Sequence, residues 1–185
     1  CRGACFPSQR PHLLLSVSLF SSRCVRHSTL DDPLMAPANN PLPDFSDLPL
    51  FDQIEPDHIA PALDVLLAQA DSAFETVVAP DFPATWVALS STLDTALERL
   101  GRAWGAVGHL NSVADTPELR AAYNEVLPRV TEFYTRLGSD ERLYAKYKAI
   151  DPASLNPKQR KARENAMRDF VLGGAELAET EKARF

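Results

Sequence analysis

The stretch HLNSVADTPELRAAY, residues 109–123, brings together side chains that are able to do chemistry. A histidine can act as a general base and a nearby serine as a nucleophile, provided that a third group orients the histidine. The periodicity instead predicts that His109 follows a helix C-terminus and that Asn111 and Ser112 lie in a turn, where both residue types satisfy free backbone groups. We interpret all three as structural and assign no catalytic residue.

Signatures of other site chemistries are missing from the sequence. It contains no H-E-x-x-H or C-x-x-C zinc motif, no G-x-S-x-G elbow and no glycine-rich phosphate loop. We therefore assign no cofactor-binding and no metal-binding residue. His58 opens a predicted helix alone and is interpreted as structural. A basic run is interpreted as a solvated helix face, with acidic peptides as the alternative partner; it consists of Lys158, Arg160, Lys161, Arg163 and, further on, Arg168.

Composition excludes several classes of protein. The 185 residues carry 19 Lys and Arg against 25 Asp and Glu, a net charge of −6, which argues against a nucleic-acid surface. Apolar runs all fall short of the ~20 residues that a membrane-spanning helix needs. The three cysteines (Cys1, Cys5 and Cys24) lie near the N-terminus and form no disulfide framework, which favours a reducing compartment.

The chain divides into three segments by composition. Residues 1–34 are rich in arginine and serine, and Asp31 is their first acidic residue. Such a leader, expected to be disordered, is typical of a mitochondrial or plastid transit peptide. The alternative is translated sequence upstream of a true start at Met35. The first interpretation implies an organellar protein and the second a cytoplasmic one.

The second segment, residues 35–56, is rich in proline, which disfavours a regular helix and favours an extended strip. We expect this strip to lie across the helices that follow and to be anchored by its apolar side chains, Phe45, Leu48, Leu50, Phe51 and Ile54.

The third segment, residues 57–185, has the 3.6-residue apolar period of amphipathic helices. Thr116 followed by Pro117 predicts a helix start there, and Asn156 followed by Pro157 predicts another. Glycines at 101, 105 and 108 weaken the second helix, which we expect to end near Val107. The fold class is therefore all-α, built of antiparallel helical hairpins, with helices at about 57–78, 85–107, 117–137, 140–150 and 157–172.

Three stretches in this order carry a resemblance to a known family. They are LPLFDQIEPDHIAPAL (48–63), GHLNSVADTPELRAAYNEVLP (108–128) and KARENAMRDFVLGGAEL (161–177). They resemble the N-terminal region of the thimet oligopeptidase family of zinc metallopeptidases, and the resemblance extends over about residues 41–185. The leader lies outside it.

The resemblance implies a larger, helical, monomeric enzyme that is split by a deep channel and cleaves short peptides. Its zinc, held by an H-E-x-x-H helix and a more distant glutamate, polarises the scissile carbonyl and activates water. Those residues lie far downstream in the family and have no counterpart here. The resemblance thus implies a channel-wall portion without the catalytic site, inactive and free of zinc when alone. The alternative is a non-catalytic helical scaffold or interaction module. Because the chain stops at ETEKARF, which looks like a helix start, we expect a truncated front portion.

Overall fold

The computed structural model describes residues 39–177 and Thr180. This part of the chain is helical and contains no strand, which confirms the predicted all-α class. None of its helices is long and apolar enough to cross a membrane. The predicted leader, residues 1–34, lies outside the described residues. The helices are α1 (Pro56–Val78), α2 (Trp86–Leu89), α3 (Thr95–Val113), α4 (Pro117–Ser139), α5 (Glu141–Ala149) and α6 (Pro157–Leu172).

Short turns connect these helices. A π-helical turn, Ser90–Asp94, joins α2 to α3, and 3-10 turns occupy Phe51–Gln53 and Pro152–Ser154. The hydroxyls of Ser91 and Thr95 donate to backbone carbonyls of the preceding turn, at 3.3 and 3.2 Å. Such bonds bend helices and accompany irregular turns within them.

Two predicted helix starts are confirmed by their capping bonds. The Thr116 hydroxyl accepts a hydrogen bond from the backbone N–H of Leu119 at 3.2 Å. The Asn156 side chain accepts one from the N–H of Gln159, whose side chain in turn accepts from the N–H of Asn156, both at 3.0 Å. Caps of this kind each contribute about 1 kcal/mol, because they satisfy donors that have no partner within the helix.

Helix α1 is the centre of the packing, since it contacts both α3 and α4 along its length and α5 at its end. Its apolar face is completely buried at Ile59, Leu63 and Phe74. Residues from its first half join α3 and α4 in one core cluster. Residues from its second half join the π-turn, α5 and α6 in a second cluster. Burying a side chain of this size contributes roughly 1.5–3 kcal/mol.

The proline-rich segment is attached mainly near its start. The Asn40 amide donates to the carbonyl of His58 at 2.7 Å, its oxygen accepts from the N–H of Leu42 at 3.0 Å, and Leu42 is buried. Phe45 and Ile54 pack against the first core cluster, as expected.

The anchoring expected further along this segment is wrong at Leu48, whose side chain is 78% exposed. Leu50 and Phe51 are also exposed, at 38% and 41%. The reason is that the segment is not a continuous strip, because a 3-10 turn begins at Phe51 and redirects the chain. Its apolar side chains therefore do not all follow the helices beneath.

A row of ion pairs follows the edge of α1. The pairs are Asp64–Arg129 at 2.5 Å, Asp71–Arg136, and Glu75–Arg142 at 3.1 Å. All six side chains are about half exposed, so each pair contributes only about 0.2–1 kcal/mol. The contact between α1 and α4 is therefore stabilised mainly by the apolar side chains of the first core cluster.

Candidate functional site

The stretch with His109, Asn111 and Ser112 is helical, and the prediction that it forms a turn is wrong. Helix α3 continues to Val113 instead of ending near Val107. Glycine costs up to about 1 kcal/mol relative to alanine within a helix. The apolar face nevertheless continues through the glycines, because Val107, between Gly105 and Gly108, is fully buried and Leu110, after Gly108, packs against the first core cluster. That packing outweighs the glycine penalty.

The structure gives these three side chains separate local surroundings. The exposed imidazole of His109 lies edge-on to the ring of Phe51, with ring centroids 5.4 Å apart. The Ser112 hydroxyl donates to the carbonyl of Gly108 at 2.9 Å. The buried side-chain oxygen of Asn111 accepts no hydrogen bond from the described part of the protein. The arrangement contains no bond between His109 and Ser112 and thus no activated nucleophile.

His58 and the basic run are held by structural contacts as well. His58 Nδ1 accepts the N–H of Glu55 at 3.1 Å and completes the cap of α1. Arg163, expected on a solvated face, is half-buried and caps α5 instead, since its guanidinium donates to the carbonyls of Tyr147 and Lys148 at 2.8 and 2.9 Å. The other members of the run, Lys158, Arg160, Lys161 and Arg168, are exposed.

A largely apolar cleft of 320 Å³ lies among the π-turn, α3, α4, α5 and α6, next to several titratable groups. We call it the four-helix cleft. Sequence reasoning missed it, because each of its side chains looks like an ordinary core position on its own helix. Pockets of this size that carry a few polar groups are common ligand or docking sites. Its walls include Leu93, Leu97, Leu137, Leu143, Phe170 and Asp169.

The end of α6 is fixed against α4 beside this cleft. At Gly173 a Cβ atom would lie 2.6 Å from the carbonyl oxygen of Gly138, which is closer than side chains tolerate. Gly174 then adopts a positive φ of 88° and ends the helix. These two glycines therefore position α6 and, with it, one wall of the cleft.

Three titratable groups at the four-helix cleft or its edge have shifted pKa values. Burial raises the pKa of Tyr134, which lines the cleft. Burial, assisted by the nearby charge of Asp94, raises the pKa of Tyr147 to about 12. Partial burial also raises the pKa of Asp94, at the end of the π-turn. Such clustering of perturbed groups marks a candidate functional site, although burial in an apolar surrounding produces the same shifts.

The raised pKa of Tyr147 predicts a loss of stability at alkaline pH. The phenol of the unfolded chain ionises near pH 10 and that of the folded chain near 12, so the unfolded state binds fewer protons between these values. The stabilising contribution of the neutral Tyr147 side chain is complete below pH 10 and is lost as the pH rises toward 12. The free energy of unfolding should fall by on the order of 2 kcal/mol over this range. Urea unfolding between pH 8 and 11.5 measures it.

The variant Tyr147→Phe serves as the control for this titration. It removes the ionisable group and keeps the ring, so its free energy of unfolding falls less steeply above pH 10 than that of the wild type. Parallel curves for the two proteins would show that Tyr147 does not carry this titration.

Comparisons with known proteins agree on one family. The family model of the N-terminal domain of neurolysin and thimet oligopeptidase matches residues 63–182. Oligopeptidase A of Salmonella typhimurium is 41% identical over 150 residues, and that of Escherichia coli is 40% identical over 150 residues. The organellar oligopeptidase A of Arabidopsis thaliana, described as chloroplastic/mitochondrial, is 34% identical over 152 residues.

The matched stretch is most of this chain but a small part of its relatives. It covers 79% of the chain and 22% of each bacterial oligopeptidase A, and 80% of the chain and 19% of the Arabidopsis protein. The resemblance seen in the sequence is confirmed, and the family is a family of peptidases. The chain belongs to the neurolysin/thimet oligopeptidase family, of which it carries the N-terminal domain.

Proposed function

We propose that this chain is the N-terminal portion of a zinc-dependent oligopeptidase A that hydrolyses short peptides. The observation that carries the proposal is the 40% identity to oligopeptidase A over 150 residues, confined to 22% of that protein. In this proposal the helices form part of the wall of the substrate channel, and the catalytic site belongs to the remainder of the enzyme. The full-length protein acts as a monomer.

The part of the chain that the structure describes offers no set of ligands that fits zinc. Catalytic zinc takes three protein ligands from His, Asp, Glu or Cys and keeps one position open for water. Within residues 39–177, no group of three such side chains lies close enough together to hold a metal. We therefore assign no step of peptide hydrolysis to a residue of this chain, and its proposed contribution is to the channel wall.

For the full-length protein we propose a cytoplasmic location, because one relative is described as a probable cytosolic oligopeptidase A of Arabidopsis thaliana and two others are bacterial oligopeptidases A. The organellar relative supports the alternative, a mitochondrial or plastid location, if residues 1–34 are a transit peptide.

The isolated chain tests the assignment of catalysis to the remainder. After incubation with zinc and gel filtration, we expect no stoichiometric zinc by mass spectrometry and no cleavage of a fluorogenic peptide. Escherichia coli oligopeptidase A, treated in the same way, is the positive control. Zinc-dependent cleavage by the isolated chain, abolished by a chelator, would overturn the proposal that its residues supply no catalytic group.

A further inference from the structure

We propose that the four-helix cleft is a docking site for an apolar helix that belongs to the same protein and lies beyond the matched N-terminal stretch. The proposal rests on the proposed function, in which the bulk of the enzyme lies outside this stretch. It adds to that function the surface through which the N-terminal portion is joined to the remainder. Four observations support it.

The first observation is the shape and chemistry of the cleft. Its volume of 320 Å³ is enough for several apolar side chains, and its surface is largely apolar. Water in such a place gains few hydrogen bonds, so replacing it with apolar groups is favourable. An amphipathic helix that inserts side chains from one face is a common occupant of an apolar groove.

The second observation is that most of the surface of α6 is not covered by other helices. Phe170 is its one buried residue, and the helix packs mainly on α5 and the end of α4. Tyr134, which lines the cleft from α4, is 38% exposed. Val171 and Leu172, at the end of α6, are not part of the lining but are also exposed, at 44% and 68%. An apolar cleft wall that is open to solvent is typical of an interface.

The third observation is charge. No lysine or arginine is among the residues that line the cleft in the described part of the chain, and its one charged wall residue is Asp169. The neighbouring Arg168 contacts this carboxylate at 3.2 Å, but both side chains are about two-thirds exposed, so the carboxylate remains open to a further partner. We infer an occupant whose apolar face is flanked by a basic side chain.

The fourth observation is the amount of protein available to fill the cleft. The matched stretch covers 22% of the bacterial relatives, so about four-fifths of an oligopeptidase A lies outside it. Within a helical protein, each helix buries its apolar stripe against neighbouring elements. The remainder of the same protein therefore explains the open cleft without a separate partner.

Hydrogen exchange of α6 tests the proposal. One sample is the isolated chain. The other is a chimera of Escherichia coli oligopeptidase A in which the matched stretch of this chain replaces its counterpart. Docking excludes water and raises the free energy of local opening, so we expect the backbone amides of α6 after Pro157 to exchange at least about tenfold more slowly in the chimera. Equal exchange of α6 in the two samples would overturn the proposal.

Two alanine variants of the chimera make the test specific to the cleft. Ala166→Glu places a charge in the wall of the cleft and should return α6 to the exchange rate of the isolated chain. Ala162→Glu is the matched control, because Ala162 lies on the same helix, is exposed and does not line the cleft, and it should leave α6 protected. Equal effects of the two substitutions would contradict docking at the cleft.

The outcomes also separate this proposal from the proposed function. A chimera that protects α6 but cleaves no peptide would contradict the proposed function and leave the docking contact supported. A chimera that cleaves peptides while α6 exchanges as fast as in the isolated chain would contradict the docking contact alone.

Discussion

Replacing Phe74 with alanine is expected to destabilise the chain by about 3–5 kcal/mol, which is the usual cost of removing a fully buried phenylalanine. Phe74 is completely buried in the second half of α1 and belongs to the second core cluster. The guanidinium groups of Arg136 and Arg142 also lie over its ring, 5.1 and 5.4 Å from the centroid. The substitution thus removes apolar contacts and two cation–π contacts together.

The matched control for this substitution is Phe51→Ala. Its ring is 41% exposed and contacts His109 at the surface, so its removal leaves no enclosed cavity and should cost less than about 1 kcal/mol. Urea unfolding followed by far-ultraviolet circular dichroism measures both variants against the wild type. Similar losses for the two variants would contradict the position of Phe74 in the core. Because domains of this size are stable by about 5–15 kcal/mol, the expected loss is easily resolved.

The helix pattern could be predicted from the sequence because its signals are local. Thr116 before Pro117, and Asn156 before Pro157, cap helices in the structure through bonds that span only three residues. The apolar period likewise identifies the buried face of α1, where Ile59 and Leu63 are fully buried. Local propensity and burial agree at these positions, and such agreement is what makes a prediction succeed.

The errors came where contacts between distant residues decide the structure. Helix α3 continues past its glycines because Leu110 packs on a cluster that α3 shares with α1 and α4. Arg163 looks like one charge of a basic run, but it reaches the carbonyls that end α5. Leu48 looks like an apolar anchor, but the turn that follows leaves it exposed. The apolar period along one helix contains no information on these neighbours.

The candidate site could not be predicted from sequence patterns either, because it also depends on contacts between residues that are distant in the chain. The four-helix cleft is formed where the π-turn and four helices converge, and its walls are leucine and aromatic side chains that fit any helical core. Its titratable neighbours, Asp94 and Tyr147, are 53 positions apart in the chain, the difference between their residue numbers. The family, in contrast, is recognisable from the stretches at 48–63, 108–128 and 161–177, and the comparison with known proteins confirms it.

The largest effect on activity is expected when the chain is joined to the remainder of an oligopeptidase A. The isolated chain should show no peptidase activity, whereas the chimera with the Escherichia coli remainder should cleave short peptides. In the proposed function, the catalytic groups and the zinc are assigned to the remainder, and the N-terminal helices are assigned to the channel that positions the substrate. Enzymatic rate enhancements exceed about a millionfold, so the two samples should differ by orders of magnitude.

The proposed function is tested most directly by the zinc-dependent cleavage of one fluorogenic peptide, measured side by side for the isolated chain, the chimera and the Escherichia coli remainder without its N-terminal stretch. We expect chelator-sensitive cleavage by the chimera, none by the isolated chain, and much slower cleavage by the remainder alone. A folded, zinc-loaded chimera that cleaves no faster than the remainder alone would contradict the claim that this chain is the N-terminal portion of an oligopeptidase.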